Sequence, residues 1–446
     1  MSYDLVVKNA KVLGSNGELV EVNIGIREGY IWDISLSKNM LHSYNELVNA
    51  EGLLALPSFI DLHVHIFSPG WNKETISSGT KAATLGGYGL ICDMASVGEW
   101  QTVTLENFRK KQAAVNSEAY IDVCLYAGEI YKEEDLKEIP RILEEGAVGL
   151  GEIMLSEPGP IGDDALLVQS MNVVKQKDKI IAIHAENKDI VNYYTKKVSF
   201  VSSLEEYAST RPPIAEAEAV LRVAMISRFT NSRTHICHLS SAAGCWAFKK
   251  AKKIYPRLTS EVTPHHLILD IENASKLDAL ATVTPPLRKK EDRIELWKCL
   301  KEGLISAIST DHAAFYSSDK LKSNYLEAPP GLPGLEVAFP IVATYAVKHN
   351  LIPLDRIVEF FTTKPAKILR LKSLGSIEVG KEANIVLVNY KTPAKVSNEW
   401  VVSASDYTPY EGYEVYYWPV HHIFRGKLVL ENRAFTNIRP GRYRPL

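Results

Sequence analysis

Two histidines lie two residues apart in the stretch PSFIDLHVHIFSPGW, which spans residues 57 to 71. In a β-strand, side chains two apart share one face, and their α-carbons are roughly 6.6 Å apart. His63 and His65 would therefore point to the same side of a strand, where they could bind one metal ion. A lone pair of this kind is weak support, because buried histidines also serve as hydrogen-bonded core residues.

Three further candidate ligands stand at the ends of short apolar runs. His184 ends IIAIH, His238 ends THICH and Asp311 ends AISTD. If these runs are parallel strands of a barrel, their ends meet at one rim, where the side chains would converge with His63 and His65. Burying so many imidazoles and carboxylates together is costly without compensating partners. The pattern therefore predicts a site for one or two divalent metal ions.

The donor types limit the choice of metal. Imidazole and carboxylate suit zinc, iron, manganese and cobalt, and zinc is the favoured ion. The cysteines are five scattered residues without CxxC spacing, so we expect reduced thiols packed in a core rather than a disulfide framework or a zinc knuckle. They are Cys92, Cys124, Cys237, Cys245 and Cys299.

The elements that would position these residues follow an orderly pattern. After about residue 57, brief apolar runs such as KIIAIHAEN alternate with helical stretches such as VTLENFRKKQAAV. This alternation predicts a parallel sheet with helical crossovers. Counting the run before His63, there are eight candidate strands, the number that closes a (β/α)8 TIM barrel. A doubly wound open sheet is the alternative, but no GxGxxG follows the first strand.

Both ends of the chain differ from this central pattern. Short β-branched runs between Tyr3 and Ser35 are broken by glycine and asparagine, as in hairpins, and strand and turn patterns return after Leu371. We expect the late strands to complete the sheet begun at the N-terminus. The predicted organisation is an α/β barrel over residues 56–372, with a small β-sandwich formed by residues 1–55 and 373–446.

Composition narrows the range of partners. With 46% apolar and 23% charged residues, the chain can bury a large core, and a formal charge of −2 offers no basic excess for nucleic acid or an anionic membrane. The first residues lack the apolar region of a secretory signal. We therefore expect a cytoplasmic protein that acts on a small molecule, with no nucleic acid or membrane as partner. Whether it forms a homo-oligomer is left open.

Taken together, the motifs resemble the amidohydrolase superfamily, in the cyclic amide branch that holds dihydroorotases, hydantoinases and allantoinases. The likeness covers nearly the whole chain and rests on segments including PSFIDLHVH, IHAEN, HICHLSS, EVTPHHLILD, STDHA and PPGLPGLE. The resemblance implies a TIM barrel flanked by a β-sandwich from both termini. It also implies that His63, His65 and Asp311 hold the more buried metal ion, and that His184 and His238 hold the more exposed one.

One ligand implied by this resemblance is missing. The hydrolases named above usually carry a carboxylated lysine on the fourth strand, whereas this chain reads AVGLGEIMLSEPGP. A gap-free comparison puts Gly151 at the lysine position, and strict alternation would turn Glu152 away from the cavity. Either a bulge near Gly149 and Gly151 aims Glu152 inward as a bridging carboxylate, or Glu152 is no ligand and the site holds one metal or none. The first arrangement is favoured, because GLGEIM resembles the segment of adenine deaminases that carries a glutamate ligand.

With such a metal site, the resemblance implies hydrolysis of a C–N bond in a cyclic amide or ureide. A bound zinc ion can lower the pKa of its water to about 7, which supplies a hydroxide nucleophile near neutral pH. Asp311 is the candidate general base and acid, because it stands beside the metal and could move a proton from the water to the leaving nitrogen.

In dihydroorotases, the residues that bind the substrate are typically an arginine, two asparagines and a histidine. We predict substrate contacts at the matching positions of this chain. The matching positions here hold Phe67, Ser96, Thr284 and Phe315. Without the arginine, a substrate carboxylate loses a charge-assisted contact, and the two phenylalanines favour a more apolar ligand. His265 and His266 are candidates to contact substrate or to buttress the site.

Two other functions stay open. The glutamate segment is compatible with deamination of a purine-like ring. A catalytically inactive, dihydroorotase-like scaffold is the other alternative, because relatives that have lost metal ligands survive as partners of other enzymes. A scaffold, however, has no physical need for four converging histidines and Asp311.

Overall fold

The computed structural model describes residues 2–14, 17–36, 43–156 and 163–446. The strands are β1 Tyr3–Leu13, β2 Leu19–Arg27, β3 Tyr30–Ser35, β4 Tyr44–Asn49, β5 Leu53–Pro57, β6 Phe59–Val64, β7 Tyr88–Asp93, β8 Asp122–Leu125, β9 Gly149–Met154, β10 Ile180–His184, β11 Arg233–Ile236, β12 Thr259–Val262, β13 Ala307–Ile308, β14 Ile385–Asn389, β15 Ala394–Lys395, β16 Glu414–Val415, β17 Trp418–Phe424, β18 Lys427–Glu431 and β19 Ala434–Phe435. The helices are α1 Ile76–Gly86, α2 Leu105–Glu118, α3 Ile139–Glu144, α4 Asp164–Gln176, α5 Lys188–Thr195, α6 Leu204–Ser209, α7 Pro213–Thr230, α8 Ala242–Ile254, α9 Pro264–Ile268, α10 Lys290–Lys301, α11 Ser317–Lys320, α12 Ala338–Lys348, α13 Leu354–Phe361 and α14 Thr363–Leu369. None of the described helices has both the length and the apolar character needed to cross a membrane.

Eight parallel strands form the centre of the molecule in chain order. One arc contains β6, β7 and β8, and the other runs from β9 to β13. Single parallel bridges join the arcs at both seams, from Ala127 to Leu150 and from Val64 to His312. The predicted (β/α)8 barrel is therefore confirmed, and the open-sheet alternative is wrong, because a doubly wound sheet reverses its strand order.

Alternate side chains of the barrel strands fill its interior. Leu62, Leu90, Cys92 and Ala182 belong to one buried cluster inside the barrel, as expected for strands whose side chains alternate between lumen and helical layer. All five cysteines are buried and free. The packed interior gives the polar residues at the strand ends a rigid base.

A second sheet combines strands from both ends of the chain. Its order is β19-β18-β17-β14-β5-β1-β2-β3, and β4 pairs with β1. The two ends of the chain meet where β5 and β14 pair antiparallel, with Leu56 opposite Val386. The domain boundaries stay predictions, and the one placed after residue 55 falls within β5.

Candidate metal centre

The six predicted metal ligands lie together near the carboxyl ends of the barrel strands. Five of them are buried and one, His65, is partly exposed. They are His63 in β6, His65 just after it, Glu152 in β9, His184 at the end of β10, His238 after β11 and Asp311 after β13. Parallel strands bring these distant residues to one rim.

The first group of donors contains His63, His65 and Asp311, whose ligand atoms lie within 4.8 Å of one another. The Nε2 atoms of the two histidines are 3.2 Å apart. Asp311 Oδ1 lies 3.3 Å from each of them. Two imidazoles and one carboxylate at these separations fit the ligands of a divalent cation.

The second group contains Glu152, His184 and His238. His184 Nδ1 is 3.2 Å from His238 Nε2, and Glu152 Oε1 lies 2.7 Å from the latter atom. The other carboxylate oxygen, Oε2, lies 3.5 Å from His63 Nε2 in the first group. The Glu152 carboxylate therefore stands between the two groups, with one oxygen facing each.

An irregularity in β9 explains why Glu152 faces the cavity. Gly151 and Glu152 together oppose the single residue Ala182 of β10, so the register shifts by one residue. Gly149 has a φ of 159°, and a Cβ added there would lie 1.7 Å from the carbonyl oxygen of Ile180. The structure therefore contains the bulge that the first arrangement requires, in which strict alternation is broken, and metal binding by Glu152 stays a prediction.

Two buried glutamates orient the histidines. Glu261 Oε1 lies 2.7 Å from His63 Nδ1, and Glu186 Oε2 lies 2.7 Å from His184 Nε2. These contacts leave His63 Nε2 and His184 Nδ1 turned towards the other donors. Carboxylates commonly fix metal-binding histidines in this way. Sequence reasoning missed both glutamates, although a charged residue in the short strand TSEV was a usable signal.

The carboxylates and imidazoles of the centre shift one another's pKa. Burial opposes the ionisation of Glu152, but His63 and His238 hold its pKa well below the usual value. Burial likewise works against the protonation of His184, yet Glu152 and Glu186 raise its pKa to about 9. The cluster thus favours ionised carboxylates, the form that binds metal, whereas His184 has to lose its proton when a metal ion binds.

Backbone strain also occurs at this rim. His238 has a φ of 28° and Asp311 a φ of 50°, in the region that side-chain-bearing residues seldom adopt. Such conformations cost about 1–3 kcal/mol each and cluster at functional sites. Here they occur in two of the six converging side chains.

Cys237 lies close enough to His63 and Glu152 to form a third group of donor atoms. Burial is the main reason why the pKa of its thiol is raised well above the usual value. A metal ligand has to be the thiolate, so the raised pKa favours Cys237 as a packing residue. This agrees with the packing role expected from the sequence.

A cavity of about 340 Å³ opens above the centre. Its wall includes His65, Glu152 and Asp311, together with Trp71, Glu129 and Tyr131, which the sequence had not suggested. Among the described residues that line it, none is a lysine or an arginine. The cavity combines aromatic and acidic walls with the two donor groups.

The four residues predicted to contact substrate differ in their position relative to the cavity. Thr284 lines the cavity, and Phe315 packs edge-on against Trp71, with ring centroids 5.2 Å apart. Phe67 packs against Trp100 instead. Ser96 is fully buried, donating to the Phe67 carbonyl and accepting from Lys111.

The two neighbouring histidines in TPHH differ in their hydrogen bonding. His266 bonds to the Thr263 hydroxyl at 2.8 Å and to the Pro285 carbonyl at 3.1 Å, as expected for a buttress. His265 Nε2 is buried without a hydrogen-bond partner in the described part of the chain. Burial lowers the pKa of His265 to about 3, so the ring is neutral. The negative charge of the nearby Asp311 opposes this lowering of the pKa only in part.

Comparisons with known proteins point to one family. The model of the amidohydrolase family matches residues 54–429. The dihydroorotase of Carboxydothermus hydrogenoformans is 32% identical over 426 residues, which cover 95% of this chain and 97% of that protein. The dihydroorotase of Bacillus subtilis is 30% identical over 434 residues, 97% of this chain and 99% of the relative.

Solved structures give the same picture of the fold. The dihydropyrimidinase from Brevibacillus agri superposes with a TM-score of 0.90 at 26% identity, covering 98% of this chain and 97% of the other. The L-hydantoinase from Arthrobacter aurescens has a TM-score of 0.90 at 26% identity, covering 99% of both chains. The fold similarity therefore extends over almost the whole molecule.

Proposed function

Because the chain belongs to the amidohydrolase family, we propose that it is a metal-dependent hydrolase of a C–N bond in a cyclic amide or ureide. The observation that carries this proposal is the position of Glu152 between two groups of donors. That position suits a carboxylate that bridges two cations in place of the missing lysine.

His63, His65 and Asp311 would hold one ion, and His184 and His238 the other, with Glu152 shared. The donor set favours zinc and is also compatible with iron, manganese or cobalt. Such ions supply Lewis acidity and a water of lowered pKa.

Asp311 is proposed to move the proton. Burial raises the pKa of its carboxyl, but His63 and His65 outweigh this and leave it lowered, so the group begins as the base. It would accept a proton from the attacking water, and then donate it to the nitrogen as the C–N bond breaks. One carboxylate thus serves both halves of the reaction, and no serine or cysteine nucleophile is needed.

The cavity favours a ring without a carboxylate. Its described lining includes Glu129 and Trp71 but no lysine or arginine to pair with a substrate anion. Several relatives are named dihydroorotase, so dihydroorotate is the first substrate to compare with neutral cyclic amides and ureides. We expect the neutral rings to be turned over faster.

A deaminase acting on a purine-like ring is the second candidate. It is favoured by the glutamate in β9, where the sequence also resembles adenine deaminases. An inactive scaffold is less consistent with the six converging side chains, because buried charges without a cation are costly.

Metal analysis and product identification test these alternatives. We expect the purified protein to contain up to two zinc, iron or manganese ions, and to open cyclic amides without releasing ammonia. Glu152→Gln should hold at most one ion, whereas the exposed control Glu272→Gln should match the unmodified protein. Ammonia release would favour the deaminase. A protein that holds no metal, even when metal is supplied, would favour the scaffold.

A further inference from the structure

A second cavity lies at the opposite end of the barrel from the metal centre. Its volume is about 420 Å³, and its lining includes Ile180, Arg233 and Thr259. These residues begin β10, β11 and β12, so they lie at the amino ends of those strands. The candidate ligands lie towards the carboxyl ends of the same barrel. The cavity is therefore separate from the metal centre.

Five cationic side chains line this basal cavity, namely Arg233, Arg257, Lys364, Lys367 and Arg370. The whole chain has a formal charge of −2, so the cluster does not reflect a general basic excess. Like charges that converge on one concave surface raise the local concentration of anions.

Most of these cations lack an acidic partner. Among the described residues, only Arg370 forms an ion pair, with Asp178. Arg233 donates to the main-chain carbonyl oxygens of Asp178 and Ile368, both at 2.7 Å. Arg257 donates to the side-chain oxygen of Asn231 at 3.0 Å. These neutral acceptors hold the guanidinium groups in place without neutralising them.

Lys364 is partly buried and lies over an aromatic ring. Its ammonium group lies 3.3 Å from the centre of the Phe360 ring. Burial lowers the pKa of Lys364 to about 8, and the nearby Glu359 only partly opposes this. For Arg233, burial followed by the charge of Arg370 lowers the pKa, and the nearby Asp178 only partly opposes this. The negative charge of a bound anion would raise the pKa of both Lys364 and Arg233.

The rest of the wall is partly apolar. Ile180, Ile305 and Ile368 line the cavity, and the Ser306 hydroxyl can add a donor. Its volume falls within the range of about 300–1,000 Å³ that is common for small-molecule sites. A cationic rim over an apolar wall suits a ligand with a phosphate at one end and a ring at the other.

We propose that the basal cavity binds a small organic phosphate, with Arg233, Arg257 and Lys367 contacting the phosphate group. Arginine pairs with phosphate through parallel hydrogen bonds, and lysine adds a point charge. The site lies beyond the proposed hydrolase function and does not depend on it.

Calorimetric titration of the purified protein at low salt tests this inference. The probes are inorganic phosphate, adenosine monophosphate and uridine monophosphate, with the two nucleosides as uncharged controls. We expect saturable binding of one monophosphate per chain and none of the nucleosides. Arg257→Glu combined with Lys367→Glu should weaken binding at least tenfold, because both side chains are exposed and their replacement reverses charge in the cavity.

Lys427→Glu, an exposed residue of the terminal sheet, is the matched control and should bind like the unmodified protein. If the double variant does not fold, the single change Lys367→Gln should still weaken binding. Binding that is undiminished in the variants would locate the phosphate elsewhere, for example at the metal centre, and so overturn the proposal. No saturable binding up to about 10 mM would also overturn it. So would binding of duplex DNA or anionic vesicles where the monophosphates fail to bind.

Discussion

Asp311 combines a metal-binding position with a proton-transfer role. Its Oδ1 lies 3.3 Å from the Nε2 atoms of His63 and His65, and its backbone has a φ of 50°. A residue that occupies a strained conformation and faces a cluster of donors is best explained by its chemistry.

Replacing Asp311 by asparagine tests this role. Asp311→Asn preserves the shape of the side chain but removes the base, so we expect turnover to fall about 10²- to 10⁴-fold. The variant should still fold, and it should still bind metal when metal is supplied in excess, because His63, His65 and Glu152 remain as donors. Asp189→Asn, an exposed change in α5, is the control and should leave turnover intact. Undiminished turnover of Asp311→Asn would contradict the assignment.

At the scale of elements, β9 has to bend in order to present Glu152. A side chain at Gly149 would lie 1.7 Å from the Ile180 carbonyl oxygen, in a region of φ that disfavours other residues. This strand therefore depends on glycine at the point where it pairs with β10.

Gly149→Ala should lower the free energy of unfolding by about 3 kcal/mol, because backbone has to move to relieve the clash. Urea denaturation measures the change. Gly334→Ala, where an added Cβ meets nothing within 4 Å, should cost much less. Equal stability of the two variants would mean that β9 is not held by this close approach.

β12 contributes through Glu261, which lies between two histidines. Its carboxylate oxygens lie 2.7 Å from His63 Nδ1 and 3.1 Å from His235 Nε2. Burial opposes its ionisation, but the two histidines lower the pKa of Glu261 far below its usual value. An ionised Glu261 keeps the ring of His63 oriented.

We expect Glu261→Gln to weaken metal binding about 10- to 100-fold, since it removes the carboxylate that orients a ligand. Competition with a chelator gives the dissociation constant. The exposed change Glu291→Gln in α10 is the control. If Glu261→Gln bound metal as tightly as the control, the orienting role would be rejected.

At the scale of the whole molecule, residues 442–444 connect the terminal sheet to the barrel. The main chain of Arg442 and Arg444 hydrogen-bonds to Val123 in β8, and the Arg444 guanidinium contacts Glu382 at 2.6 Å and Asp122 at 3.2 Å. Residues far apart in sequence thus share one ionic cluster.

Removing the guanidinium should destabilise the fold. Arg444→Met leaves Asp122 buried with less compensation, and because the pair with Glu382 is partly exposed we expect a loss of about 2 kcal/mol. Chemical denaturation measures it. Arg442→Met is the matched control, since that side chain is exposed, and it should change stability little. A loss of similar size in both variants would exclude the ionic cluster as the cause.

The sequence by itself determined the barrel, the family resemblance and the residues that converge at the rim. Alternating strand and helix patterns are local properties, and the carboxyl ends of parallel strands must meet, so His63, His184, His238 and Asp311 could be grouped without coordinates. The family resemblance is confirmed by the match over residues 54–429.

Only the tertiary structure decided the direction of Glu152, the support from Glu261 and the basal cluster of cations. A one-residue register shift in β9 reverses which face a side chain occupies, and it depends on how β9 packs against β10. Glu261 pairs with a histidine 198 residues away. Arg233 and Lys367 belong to different elements, which only the closed fold brings to one cavity.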